Sequence, residues 1–201
     1  MRKLLLVAIL SAMFGENVTQ EQLDKGNKKC LAGEFRTCGT LGELYQYGIF
    51  GVAQDFAKAV KFYEMACDGG YFSSCTNLGF MYYEAQGVKA DYKRAKELFS
   101  KACDNANALG CVNLGAMYEH GRGVPQDMAK AAAYYRLTCE AGVRLGCHNF
   151  AIYSFNQNDK QSAKEYFKKA CDLGKDDPAT QNTPDNKARW QKACDMHEVL
   201  R

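Results

Sequence analysis

The feature that most constrains this chain is the placement of its ten cysteines. Four couples, Cys30/Cys38, Cys67/Cys75, Cys103/Cys111 and Cys139/Cys147, each span eight positions, and the couples recur about every 36 residues. In one unbroken helix eight residues advance ~12 Å, beyond the ~7 Å Cα limit for a disulfide. The chain must therefore turn inside each couple, and Asp68-Gly69-Gly70, Asp104-Asn105-Ala106 and Glu140-Ala141-Gly142 supply turn-compatible residues there. Each couple then reads as a bridge clamping one helix to the next: Cys30–Cys38, Cys67–Cys75, Cys103–Cys111 and Cys139–Cys147. By elimination Cys171 pairs with Cys194. Zinc sites use closer Cys-x₂₋₄-Cys spacing, and the three histidines, His120, His148 and His197, stand far apart. No metal and no cofactor are expected.

Around the cysteines a helix pattern repeats. Cys-x-x-Leu-Gly-x-x-Tyr is written at Cys38–Tyr45, Cys75–Tyr82 and Cys111–Tyr118. Cys, Leu and Tyr fall on one helix face, and the Gly lets a neighbouring helix come close. This is helix A of a pair. A Gly-rich turn and an aspartate follow it (Asp55, Asp91, Asp127), and then helix B, which carries aromatic residues and ends in the next cysteine at 67, 103 or 139. Aspartate is a favoured N-cap, and Asp159 holds the same place before the helix that ends at Cys171. The aromatic positions of helix B read as core. A fourth helix A, from Cys147 to Ser154, departs from the pattern, and its turn is shorter and lacks glycine.

The reading divides the chain into a signal peptide at 1–15, an N-terminal helix at 19–29, four repeat units within 30–173, a loop at 174–186 and a capping helix at 187–201. The units run 38–67, 75–103, 111–139 and 147–171. Thr19-x-x-Gln22 matches a capping box at the start of the first helix. The leader rests on Arg2-Lys3 followed by a short apolar run from Leu4 to Phe14, with cleavage expected between residues 12 and 19. That run falls short of the ~20 residues that span a bilayer, so no stable membrane anchor is expected. Loss of the leader takes Arg2 and Lys3 from a net charge of +3. Nothing in what remains suggests a nucleic-acid partner. An even cysteine count fits a fully oxidised, secreted or periplasmic bacterial protein, and a monomer is expected.

On these motifs the chain resembles the Sel1-like repeat family, relatives of the tetratricopeptide repeats. With helices ending Ala-Cys-Asp it is most similar to the family's cysteine-rich branch described in Helicobacter. The resemblance implies an all-α fold, a right-handed α/α solenoid of Sel1-like helix-pair repeats cross-linked by disulfides. It also implies two functions. One is a scaffold that binds a peptide or protein partner on a concave face. The other is a penicillin-binding protein with weak β-lactamase activity, whose ligand would be a β-lactam or a cell-wall-related small molecule.

The residues weigh these differently. Ser-x-x-Lys, Ser-Asp-Asn and Lys-Thr-Gly, the serine β-lactamase motifs, are all missing from the sequence, so catalytic residues are unknown. For binding, Asn77, Asn113 and Asn149 each stand two residues after a helix A cysteine. Related tetratricopeptide repeats present asparagines there on the inner surface, where a carboxamide bonds a ligand's backbone or carboxylate. Tyr83, Glu119 and Phe155 follow six residues later and would flank a groove. Arg122, Lys130, Arg136 and Arg144 read as a solvated face.

Overall fold

The computed structural model describes residues 17–175 and 184–200, and the leader assigned to 1–15 lies outside them. Ten helices are described: α1 Gln20–Leu31, α2 Phe35–Tyr47, α3 Phe56–Asp68, α4 Phe72–Tyr83, α5 Tyr92–Asp104, α6 Ala108–His120, α7 Met128–Glu140, α8 Arg144–Asn156, α9 Lys160–Lys175 and α10 Pro184–Val199. No strand is present among the described residues. The even-numbered helices α2 to α8 are helix A of the successive pairs, and α3, α5, α7 and α9 are helix B. Contacts divide the chain into two compact units, 1–110 and 111–201, with the boundary inside α6.

Local chemistry sets the helix boundaries. Thr19 and Gln22 form a reciprocal capping box at the start of α1. Asp55, Asp91 and Asp127 each accept a hydrogen bond at 2.9 Å from a backbone N–H in the first turn of helix B, and Asp159 does the same at 3.0 Å. This satisfies donors that a helix start leaves without intrahelical partners. Between helix B and the next helix A only three residues intervene. Their middle residue takes the left-handed conformation, Gly33 at φ 91°, Gly70 at φ 87° and Gly142 at φ 80°. Ala106 holds that place at φ 61°, a conformation that is costly for a residue with a Cβ. Next to it, Asn107 accepts hydrogen bonds from the Thr76 hydroxyl and the Gly110 N–H.

In the first unit one core gathers Leu23, Leu41, Leu44, Val52 and Ala66 around Cys30 and Cys38, and another gathers Val60, Tyr63, Leu78, Met81 and Leu98 around Cys67 and Cys75. The second unit packs Val112, Ala131 and Tyr135 in one cluster. Ala151, Ala163, Phe167, Ala170 and Ala193 surround Cys139 and Cys147 in the other. Disulfides join Cys30 to Cys38, Cys67 to Cys75, Cys139 to Cys147 and Cys171 to Cys194. Cys103 and Cys111 are also disulfide-bonded, and no described cysteine is free. Each bridge contributes roughly 2–4 kcal/mol by restricting the unfolded chain.

The C-terminal end differs from the sequence expectation. Helix α9 runs on to Lys175 and α10 begins at Pro184, so the expected loop gives up residues at both ends, 174–175 and 184–186, to helices. Proline suits a helix start, where its missing N–H costs nothing. Helix α10 closes the second unit through Ala193, which is buried, and through Trp190, whose indole N–H donates to the Cys171 carbonyl at 2.8 Å. Gly174 makes room for that indole, because a Cβ there would stand 2.3 Å from the Trp190 ring.

Candidate functional site

The first three helix pairs are built on one contact. The helix A glycine four residues after the cysteine lies flat against an aromatic ring of helix B, Gly42 on Tyr63, Gly79 on Phe99 and Gly115 on Tyr135. A Cβ at any of the three would come within 2.6–2.7 Å of the ring. The ring therefore slides under helix A. In the fourth pair Ala151 stands at the glycine position, in the same buried cluster as Phe167.

What the ring meets decides the chemistry. In the first pair the Tyr63 hydroxyl donates to Gln46 Oε1 at 2.7 Å, and in the third the Tyr135 hydroxyl donates to Glu119 Oε2 at 2.5 Å. Gln46 and Glu119 hold the same register, eight residues after Cys38 and Cys111. At that register the second and fourth pairs carry aromatic residues, Tyr83 and Phe155, where helix B offers phenylalanines without a hydroxyl, Phe99 and Phe167. Polar inner ends thus alternate with apolar ones along the chain.

The two polar ends are finished differently. Gln46 is buried, and its Nε2 donates to Gln86 Oε1 at 3.3 Å. Asn77 lies beside the Tyr63 hydroxyl. Burial pushes that hydroxyl far above its ordinary pKa, Glu43 and Tyr47 add to the rise, and Asn77 pulls the other way. In the third pair Glu119 is only half-buried and lines a small cleft between α6, α7 and α8. Glu119, Asn149, Asn156 and Tyr153 bring polar groups to the cleft, while Met128, Ala131 and Ile152 form apolar wall. The cleft holds about 20 Å³. That is room for one water-sized group, for which ~10–15 Å³ suffices, and far below the ~300–1,000 Å³ of small-molecule pockets.

The residues singled out from sequence thus fall into different settings. Asn149 and Glu119 meet at the cleft. Asn77 lies beside the Tyr63 hydroxyl. Asn113 is half-buried on α6, and Tyr83 stands edge-on to Tyr92 with ring centroids 5.4 Å apart. Phe155 is exposed. The basic residues are dispersed: Lys130 lies over the Tyr118 ring, Arg136 pairs with Glu140, and the Arg144 chain packs beside Gly174. Among the described residues no cluster of three or more His, Cys, Asp or Glu side chains could hold a metal, and no helix is long and apolar enough to cross a membrane. Nothing among them supports the β-lactam alternative. Sequence reading missed the tyrosine hydroxyls, although the signal was present: wherever helix B carries Tyr at this position, helix A carries Gln or Glu.

The Sel1 repeat model matches residues 40–71, 73–107, 108–143 and 156–175. The stretch it passes over, 144–155, is the divergent helix A of the fourth pair. Among solved structures, the chain is similar to a protective antigen present in uropathogenic Escherichia coli strains that displays an SLR fold. Identity is 28% and the TM-score 0.71 over 96% of this chain and 44% of that one, so the chain spans less than half of that protein. A Sel1 repeat protein from Oxalobacter formigenes is 20% identical with a TM-score of 0.69, covering 90% and 79% of the two chains. Cysteine rich protein B of Helicobacter pylori is 24% identical with a TM-score of 0.49, covering 64% and 91%. No curated protein matches the chain in sequence. With the helix order and the disulfides, the Sel1 repeat match and the likeness to the Escherichia coli and Oxalobacter formigenes structures give the fold as an α/α solenoid of Sel1-type pairs.

Proposed function

From the premise that this chain belongs to the Sel1-repeat family, we propose that it is a disulfide-stabilised scaffold that binds a peptide or protein partner along the inner side of its A helices. Repeats of this family mediate protein–protein interaction. The bonded cysteines fit an extracytoplasmic, oxidising compartment, and we propose the periplasm or the cell exterior as that compartment. The observation that carries the proposal is the cleft at Glu119 and Asn149. It offers hydrogen-bonding groups beside the exposed apolar side chains Met128 and Ile152, the mixture that holds an extended segment, and it is too small for an enclosed small-molecule site. Disulfides fix the surface in advance, which lowers the ordering cost of binding.

The test uses oxidised protein and partners recovered from the envelope and culture medium of the source bacterium, measured by biolayer interferometry. The double variant Asn113→Ala/Asn149→Ala is expected to weaken binding about tenfold, ~1.4 kcal/mol. Binding equal to that of the unaltered protein would contradict the assignment of the inner side.

A further inference from the structure

The cleft of the third pair says more about the partner than that it binds there. The first pair provides an internal control for it. Both pairs place a helix A polar side chain under a tyrosine hydroxyl. In the first pair the side chain is a neutral carboxamide, buried, with its oxygen taken by Tyr63 and its nitrogen by Gln86. In the third it is a carboxylate, half-buried and facing a cleft. The Tyr135 hydroxyl occupies one lone pair of Oε2 and fixes the carboxylate in place, leaving acceptor capacity on both oxygens. Among the described residues no Lys, Arg or His forms an ion pair with Glu119.

Resting on the scaffold reading above, we infer that the cleft at Glu119 is a subsite for a lysine side chain of the partner segment. Charge complementarity selects a cation, and a cleft with room for a water-sized group suits the compact ammonium, which is close to water in size. Glu119, Asn149 and Asn156 line one space, and their side chains can supply acceptors to the three N–H donors of an ammonium. Met128 and Ile152, both exposed at its rim, are placed to cover the four-carbon stem, as long basic side chains favour. Asn149 then acts as a neutral acceptor for the ammonium.

Selection from a random peptide library displayed on phage, against the immobilised oxidised protein, tests this. Lysine is expected to be enriched at one position. Replacing it by norleucine or arginine in a synthetic copy of a selected peptide should weaken binding at least tenfold, and Glu119→Gln should do the same. Glu119→Gln reproduces the neutral arrangement of the first pair, so the variant is expected to keep its fold, checked by an unchanged thermal melt. Peptides that bind through Asn149 with no lysine preference, or that bind Glu119→Gln as tightly as the unaltered protein, would overturn the lysine subsite and leave the scaffold reading standing. A library that yields no binder, or only binders indifferent to both Asn149→Ala and Glu119→Gln, would overturn the scaffold reading and the subsite with it.

Discussion

The first and third helix pairs are the same construction put to different ends. Gly42 on Tyr63 and Gly115 on Tyr135 are equivalent contacts, each so close that a single added carbon would collide with the ring. Above that contact, the first pair closes its polar chemistry inside the protein, through Tyr63, Gln46 and Gln86. The third leaves its chemistry open at a cleft, with Glu119 in place of Gln46. The difference shows how a repeat protein can vary function without disturbing fold: the packing residues stay, and one side chain at the end of helix A decides whether the hydroxyl beside it serves the interior or a partner.

If the framework is common to both pairs, breaking it should cost the same in each. Tyr63→Ala and Tyr135→Ala each remove a buried ring and leave a cavity, so both are expected to lose about 3–5 kcal/mol in urea denaturation. A much smaller loss at Tyr135 would mean the third pair does not depend on its ring. A smaller effect follows from the other half of the contact. Gly42→Ala and Gly115→Ala force a methyl against the ring and are expected to lose about 1–3 kcal/mol each, measured in the same way. Should either be neutral, the close approach is not what holds the ring under helix A.

Much of this architecture is legible in the sequence because it depends on neighbours in the chain. The i, i+3, i+7 pattern from Cys111 to Tyr118, the aspartate before each helix B and the turn inside each cysteine couple are all set within about a dozen residues. The C-terminal boundary was less legible, because Pro184 reads equally as a loop breaker and as a helix start, and only packing of α10 on the end of the second unit decides between them. The site was legible in part. Asn149 and Glu119 were singled out one at a time, but that they share a cleft depends on the pairing of α6, α7 and α8. Reading the aromatic positions of helix B as core holds for the buried rings of Tyr63, Phe99, Tyr135 and Phe167 and overlooks two hydroxyls, because the acceptors lie 16 or 17 residues earlier, on another helix.

The central claim, that the first pair's polar end is closed and the third's open, is tested most directly by comparing Tyr63→Phe with Tyr135→Phe in chemical denaturation. Each removes one hydroxyl and keeps the ring. In the first pair the change leaves the buried Gln46 oxygen without its donor, and a loss of about 1–3 kcal/mol is expected. In the third, the half-buried Glu119 can turn to water, so the loss should be smaller than in the first pair. Equal losses, or a larger one for Tyr135→Phe, would contradict the account.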